Sequence, residues 1–298
     1  MVQWIVQVTG EPPHPPESIV PTQLLPYRGA FGAPRAAALV ALALPPAAMP
    51  SHDGLRPLKA WRYVGVYGPE LMLCIASARI GPARQSFWAV WDRQAERLYQ
   101  RTVLGRGNVV LEPGAARIAD RELQVELRLE ETAGIETVCP SGGSYAWTRK
   151  QGGIKASGTV VIGGLRRELD ARAVIDDTAA YYARHTHWQW SAGVGVAHDG
   201  RELAWNLVSG VNDPPRNSER TVWIDGQPHE VGRCAFADGL SGVDSLRFEG
   251  EAVRERRENL GLVRSYYRQP FGTFSGELPG GIALSEGYGV MEEHDAWW

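Results

Sequence analysis

Titratable and aromatic side chains are concentrated in residues 176–190, DDTAAYYARHTHWQW. Successive side chains of a β-strand point to opposite faces of the sheet, so a strand over residues 181–191 would have one polar and one largely aromatic face. The polar face would carry His185, His187, Gln189 and Ser191. The other face would carry Tyr182, Arg184, Thr186, Trp188 and Trp190. Such a pattern is typical of the wall of a binding cavity in a β-barrel, and either face could line it.

Two adjacent carboxylates, Asp176 and Asp177, follow an apolar strand that ends at Ile175. Neighbouring residues of a strand point in opposite directions, so one carboxylate is expected to enter the cavity. A carboxyl group in a dry aromatic pocket has a raised pKa and can act as a general acid. We therefore predict Asp176 as the catalytic acid. The alternative is that the pair caps a turn or helix that begins at Thr178.

The two histidines are the predicted partners of this acid. His185 or His187 could position a water molecule or accept a proton, or both could be structural residues with satisfied hydrogen bonds. A metal would need a third ligand, and no spacing supports Asp199, Glu292 or His294 in that role. We therefore expect neither a metal nor a cofactor. The acidic C-terminal residues 292–295 are interpreted as a solvent-exposed end.

The chain contains 11 tryptophans, many of them in its second half. Aromatic walls with a few polar anchors are typical of pockets for apolar ligands, although aromatic strand residues also form ordinary cores. The predicted ligand-binding residues are Tyr182, Arg184, Trp188, Trp190, Trp205, Asn206 and Tyr267. Arg184 could stack on the indoles or bind a carboxylate-bearing ligand.

The aromatic residues predict a hydrophobic small molecule as the partner, and the composition argues against other classes of partner. The net charge of −3 argues against a nucleic-acid partner, which normally requires a basic surface. The 3 cysteines are far apart in sequence and fit a reducing compartment. No secretory signal is recognised, and the apolar run at residues 36–48 is shorter than a membrane span. These features predict a cytoplasmic protein without a membrane span, and an open sheet edge could pair two copies as a homodimer.

Short apolar or alternating segments recur with turn residues between them, which predicts an all-β fold. Residues 1–55 are interpreted as an extended proline-rich arm with one strand at residues 1–8, because proline removes a hydrogen-bond donor. Residues 56–152 form the first predicted β domain and residues 153–298 the second, with the boundary at Gly152-Gly153. Gly163-Gly164 and Asp225-Gly226 predict hairpin turns.

Several segments resemble an uncharacterised bacterial family known as a domain of unknown function. They include LPYRGAFG (residues 25–32), RPLKAWRYVGVYGPELMLC (56–74), FWAVWDR (87–93) and GYGVMEEHDAWW (287–298). Residues 158–190 resemble, more distantly, a lipocalin-like superfamily that includes carotenoid hydratases and tocopherol cyclases. This resemblance implies two tandem lipocalin-like antiparallel barrels or sandwiches. It also implies an acid at Asp176 that protonates an alkene, although Val174 stands where an aromatic residue is expected.

Three functions are compatible with this sequence. The first is a cofactor-independent acid–base enzyme, of the hydratase, cyclase or isomerase type, acting on an isoprenoid-like or polyketide-like molecule. The second is a non-catalytic carrier of an apolar ligand. The third is a structural protein without a ligand. An enzyme should enclose Asp176 or a histidine in a pocket, with a second titratable group within hydrogen-bond reach.

Overall fold

A computed structural model describes residues 24–105, 107–261 and 263–298, and nearly all of its regular structure is β-strand. The first thirteen strands are β1 (Tyr27–Ala30), β2 (His52–Asp53), β3 (Arg56–Pro57), β4 (Lys59–Tyr67), β5 (Leu71–Ile80), β6 (Ala83–Asp92), β7 (Arg97–Leu104), β8 (Val109–Glu112), β9 (Ala115–Ala119), β10 (Leu123–Leu129), β11 (Ile135–Ser141), β12 (Ser144–Ile162) and β13 (Leu165–Ala180). The others are β14 (His185–Ala197), β15 (Glu202–Ser209), β16 (Thr221–Ile224), β17 (Gln227–Glu230), β18 (Gly242–Val243), β19 (Leu246–Leu260), β20 (Val263–Leu278) and β21 (Ile282–Trp297). Single 3-10 turns occur at Ala37–Leu39 and Asp238–Leu240.

The strands form two large antiparallel sheets. The first has 11 strands, with the main order β7-β6-β5-β4-β13-β12-β10-β9-β8 and with β1 and β11 attached beside β12. The second has 8 strands in the order β17-β16-β15-β14-β21-β20-β19-β18. Both sheets curl into half-barrels, which confirms the predicted all-β class with two lipocalin-like halves. No helix in the described part of the chain is long and apolar enough to cross a membrane.

Alternating side chains give each sheet two buried faces. On β5, Leu73 and Ile75 belong to a core made only by the first sheet, whereas Met72 and Cys74 point the other way. The second sheet encloses its own core around Trp205. A third core is formed by side chains of both sheets that point away from the interior of their own half-barrel, so the two half-barrels share a hydrophobic layer. The alternation of a strand between faces is the physical reason that one strand can serve two cores.

The passage from one sheet to the other lies between Ala180 and His185, at the end of β13. The boundary predicted at Gly152-Gly153 falls inside β12, which stays in the first sheet along its whole length. The two glycines mark a β-bulge there, and Gly153 has φ of 71°. A Cβ at Gly152 would lie 2.3 Å from the Trp223 ring, so this glycine serves close packing between the sheets.

The proline-rich arm packs on the first sheet over its described part. Leu39, Leu44 and Met49 join a core with Tyr145 and Trp147, so the arm covers apolar surface. The strand predicted at residues 1–8 lies outside the described residues. Both predicted hairpins are present in the structure. They join β12 to β13 through Gly163-Gly164, and β16 to β17 through Asp225-Gly226, where both turn residues have positive φ.

Candidate functional site

A cavity of about 150 Å³ lies between the two sheets. Trp61, Asp176 and Tyr182 contribute to it from the first sheet and its exit, and Trp188 and Glu292 from the second. Hydrophobic side chains fill the interior of each half-barrel, and this cavity with its polar groups lies at the junction of the two. The alternation of β14 sends its tryptophans into this junction. The aromatic face of the strand predicted at residues 181–191 is therefore the one that lines a cavity.

The paired carboxylates lie in strand β13 and point to opposite sides, as strand geometry requires. Asp176 is 7% exposed and lines the cavity. Asp177 faces away and forms an ion pair with Arg62, with 2.8 Å between Arg62 Nη1 and Asp177 Oδ1. Burial raises the pKa of Asp177, and the charge of Arg62 opposes that shift. The pair does not cap a helix, since the strand continues to Ala180.

A buried lysine holds Asp176. Lys150 lies directly opposite Asp176 in the antiparallel register of β12 and β13, and Lys150 Nζ is 2.5 Å from Asp176 Oδ1. The Thr178 hydroxyl donates to the same oxygen at 2.8 Å, and Trp61 Nε1 donates to Oδ2 at 3.3 Å. Nearby carboxylates raise the pKa of Lys150 against the lowering effect of burial, which keeps the ammonium charged. One cation and two neutral donors therefore hold the Asp176 carboxyl group in place.

Glu219 is the second carboxylate of this lysine. Its Oε1 lies 3.3 Å from Lys150 Nζ, and the residue is 2% exposed. Burial raises the pKa of Glu219, the Lys150 charge lowers it and the Asp176 charge raises it again. Asn212 Nδ2 donates to Glu219 Oε2 at 3.1 Å and to the Tyr182 hydroxyl at 2.7 Å. One ammonium thus serves two carboxylates in a continuous buried network.

Glu292 supplies a carboxyl group of different character on the opposite wall. It is 7% exposed, and Trp188 Nε1 and Gln269 Nε2 each donate to one of its oxygens at 2.9 Å. No lysine or arginine of the described residues forms an ion pair with it. Burial raises the pKa of Glu292 to about 7. The donor groups of Trp188, Tyr267 and Gln269 oppose the shift, and the negative charge of Asp176 adds to it. A group with this pKa exchanges protons readily near neutral pH.

His294 follows two residues later on the same strand face. Its Nε2 is 2.8 Å from Ser265 Oγ, and its ring packs against Trp188 with 4.3 Å between centroids. Burial, and then the positive charge of Arg254, lowers the pKa of His294 to about 3. The imidazole is neutral at physiological pH. The interpretation of residues 292–295 as a solvent-exposed end is therefore wrong for Glu292 and His294, because strand β21 turns them inward.

The predicted catalytic histidines lie outside the cavity. His185 and His187 are on the exposed face of β14, with side chains 44% and 46% exposed. His185 Nε2 is 3.0 Å from Asp295 Oδ1, and His187 Nε2 is 3.1 Å from Glu293 Oε1. The structure does not bring either histidine near Asp176. The strand that carries them places their neighbours Trp188 and Trp190 inside instead, because alternate residues face opposite sides.

The predicted ligand-binding residues separate into two groups. Tyr182, Trp188, Trp190 and Tyr267 line the cavity. The other three lie outside the cavity. Trp205 lies in the core of the second sheet and donates to the Ser191 hydroxyl, and the Asn206 side chain accepts a hydrogen bond from Trp190 Nε1 at 2.8 Å. Arg184 is exposed beside the backbone carbonyl of Trp298 and does not reach the cavity. No group of three potential metal ligands occurs within the described residues.

Sequence reasoning missed Lys150 and Glu219, which meet Asp176 or its lysine partner only in the fold. It also missed Arg254, which lines the same cavity from strand β19. Glu292 had a signal that could have been used. In the C-terminal sequence GVMEEHDAWW (residues 289–298), Val290, Glu292 and His294 are spaced by two, and Val290 packs in the core shared by the two sheets. A strand here must place Glu292 and His294 on the same face as that valine.

Comparison with known proteins gives one family and several structures of similar fold. A family model described as a domain of unknown function (DUF2804) matches residues 105–298. No curated protein matches the chain. A putative AttH from Nitrosomonas europaea is 14% identical, with a TM-score of 0.48, over 85% of this chain and 98% of that chain. Kievitone hydratase from Nectria haematococca is 12% identical, with a TM-score of 0.44, over 79% and 88% of the two chains. CghA, in its complex with Sch210972, is 9% identical with a TM-score of 0.40, over 91% and 97%.

Proposed function

The chain belongs to the family described as a domain of unknown function (DUF2804), and from its cavity we propose a cofactor-independent acid–base enzyme that acts on a hydrophobic small molecule. The reaction would be of the hydratase, cyclase or isomerase type. The observation that carries this proposal is Glu292, a carboxyl group with a pKa of about 7 in an aromatic cavity opposite a charge-paired carboxylate. Two carboxyl groups whose surroundings separate their pKa values are suited to acid and base roles.

Glu292 is the proposed proton donor. The sequence alone pointed to Asp176 for this role, but Asp176 forms an ion pair with the Lys150 ammonium 2.5 Å away. An ionised carboxylate accepts protons and cannot deliver one. Asp176 is therefore the proposed base, with Lys150 and Thr178 holding its orientation. His185 and His187 have no part in this proposal, because they face solvent.

Aromatic rings line the space between the two carboxyl groups. Trp61 stacks with Trp188 at 6.2 Å between centroids and with Tyr182 at 6.0 Å. Tyr63 meets Trp190 edge to face at 5.3 Å. The negative faces of indole and phenol rings attract a cation, and each such contact contributes roughly 0.5–2 kcal/mol. The walls would therefore tolerate positive charge that develops on carbon when an alkene is protonated.

The proposed reaction begins when protonated Glu292 transfers its proton to one carbon of a carbon–carbon double bond. The π electrons form the new C–H bond, and the other carbon becomes cationic. Water then adds, a second double bond attacks, or a neighbouring C–H loses its proton, which gives hydration, cyclisation or isomerisation. In the first and third outcomes, Asp176 accepts the released proton. In cyclisation the second double bond passes the positive charge to another carbon, and a C–H next to that carbon then loses its proton to Asp176, which leaves a neutral ring product. The proton returns to Glu292 through solvent, and no electrons are gained or lost.

Proton transfer can be tested before the natural substrate is known. The protein is incubated in D2O with a panel of isoprenoid alkenes and prenylated phenols, and deuterium incorporation is followed by mass spectrometry. We expect incorporation by the natural protein and a loss of about 100-fold or more in Glu292→Gln, the usual range for a general acid. Glu293→Gln is the matched control, because the adjacent carboxylate points to the opposite face and meets His187.

The outcomes separate the acid–base enzyme from its alternatives. Unchanged incorporation in Glu292→Gln would exclude this residue as the donor. Binding of the panel without incorporation by the natural protein would instead favour the carrier function. A matched loss in Asp176→Asn with retained binding would support its role as the base.

A further inference from the structure

The cavity contains a buried arginine, Arg254, that has no role in the proton transfer proposed above. It extends from β19 into the cavity and is 3% exposed. Its guanidinium carbon lies 4.0 Å from the centroid of the Phe87 ring and 4.8 Å from that of Tyr267. Two aromatic rings thus hold a planar cation between the sheets.

The hydrogen bonding of this guanidinium is incomplete. Its Nη2 donates to the Thr102 hydroxyl at 2.9 Å, and its Nε has no hydrogen-bond partner. No carboxylate in the described part of the chain forms an ion pair with it, and its positive charge lowers the pKa of the neighbouring His294. The Tyr267 hydroxyl beside it makes no hydrogen bond of normal geometry and lies near the Glu292 carboxyl, whose pKa it lowers. An Arg254 N–H without an acceptor and the Tyr267 hydroxyl therefore lie together at one wall.

Two other buried cations give a comparison with Arg254. Lys150 contacts two carboxylates, whereas Arg220 donates to the backbone carbonyls of Pro214 and Val231. Arg220 also has a nitrogen without a hydrogen-bond partner, Nη1, but unlike Arg254 it does not line the cavity. A buried charge without a counter-charge is costly, and proteins usually pair it. A guanidinium also presents parallel N–H donors that match the two oxygens of a carboxylate. Because the Arg254 guanidinium lines the cavity and has no carboxylate partner, we infer that a ligand bound in the cavity supplies the counter-charge.

We propose that the ligand of this cavity is a hydrophobic carboxylic acid whose carboxylate pairs with Arg254. The Tyr267 hydroxyl would donate to the same group. The apolar part would lie toward Trp61 and Trp188, between Asp176 and Glu292. This inference concerns binding at the cavity of the proposed enzyme, and it narrows the substrate class from apolar molecules to apolar acids.

Matched ligands test the proposal without any turnover. Geranic acid, methyl geranate and geraniol share one isoprenoid skeleton and differ in the charge of the head group. Binding to the full-length protein is measured by isothermal titration calorimetry and by quenching of tryptophan fluorescence. We expect the acid to bind at least 10-fold more tightly than the ester or the alcohol, in keeping with a charge-assisted bidentate pair. A matched phosphonate should bind more weakly than the acid.

Variants assign this preference to the guanidinium. Arg254→Met should abolish the preference for the acid while methyl geranate still binds. Arg254→Lys should retain part of it, since a point charge replaces a bidentate donor. Arg257→Met is the matched control, because that side chain on the same strand is 77% exposed. Folding of each variant is checked by circular dichroism and thermal melting, and Arg254→Met should melt no lower than the natural protein because it removes a buried charge.

Any one of three results would overturn the proposal. These are equal binding of the three geranyl probes, no binding of any of them, and a preference for the acid that survives in Arg254→Met. Glu292→Gln separates this proposal from the enzymatic one. That variant should lose deuterium incorporation and still prefer the acid. A preference for the acid without incorporation by the natural protein would leave the carboxylate site established and would remove only the proposed reaction.

Discussion

Replacement of Lys150 by methionine should destabilise the protein strongly. Lys150 is 1% exposed and its ammonium lies 2.5 Å from Asp176 and 3.3 Å from Glu219. At an effective dielectric constant of about 20, these two attractions amount to about 7 and about 5 kcal/mol before the cost of desolvation. Loss of the cation leaves two carboxyl groups buried without it, so we expect the free energy of unfolding to fall by about 3–5 kcal/mol.

Urea unfolding, followed by circular dichroism and tryptophan fluorescence, measures this loss. Lys155→Met is the control, because Lys155 is exposed on the same strand and its replacement should cost less than about 0.5 kcal/mol. In the double variant Lys150→Met with Asp176→Asn, the loss should be smaller than the sum of the single losses, because one of the stranded charges has been removed.

The loss should also depend on pH in a defined direction. Burial raises the pKa of Glu219 and the Lys150 charge opposes that shift, so without the ammonium Glu219 retains its proton in the folded protein at a pH where the unfolded chain has released it. The folded state then binds more protons, so the free energy of unfolding falls as pH rises. The deficit should therefore shrink as pH is lowered from about 8 to about 5. A loss below about 1 kcal/mol at neutral pH, or a deficit that grows on acidification, would refute this account of the network.

Three further outcomes follow from the geometry. The pKa of Glu292 is raised from 4.5 to about 7, so the free energy of unfolding should fall by about 3 kcal/mol as pH rises through that window. Urea unfolding at a series of pH values measures this dependence on pH. Glu292→Gln should remove it, and an unchanged dependence would contradict the raised pKa. Gly152→Ala should cost about 1–3 kcal/mol, measured by urea unfolding, because the new Cβ would lie 2.3 Å from the Trp223 ring; a loss below about 0.5 kcal/mol would show that the indole moves aside. His185→Ala and His187→Ala should each change stability by less than about 0.5 kcal/mol in thermal melts, since their ion pairs are exposed, and a larger loss would indicate a buried role.

Local patterns predicted much of the architecture because turn chemistry and strand alternation are short-range properties. Gly163-Gly164 and Asp225-Gly226 marked hairpins that the structure contains, since few residues tolerate positive φ at both turn positions. The segment near Trp188 was identified as a cavity wall by the same reasoning. Gly152-Gly153, where the sequence suggested a boundary, lies at a bulge inside strand β12, because glycine accompanies a bulge in a long strand as readily as a linker.

The candidate site was predicted only in part. Asp176, Tyr182 and the indoles of Trp188 and Trp190 were recognised, since they belong to one segment with a strong local pattern. Their partners come from strands far away in sequence. Lys150 reaches Asp176 through the register of β12 and β13, and Glu292 approaches from the other sheet. His185 and His187 lie on the exposed face of β14, which the sequence did not reveal, because period two shows which residues share a face but not which face is inside.

By itself, the order of residues determined the strand alternation, the turns and the supply of aromatic rings, because each of these depends on neighbours within a few positions. The tertiary structure alone decided which face of β14 lines a cavity, which carboxyl groups meet a cation, and which of them remains without one. Burial and charge pairing depend on distances across the sheets. The chemical character of Asp176, Glu292 and Arg254 therefore arises only when the two half-barrels pack together.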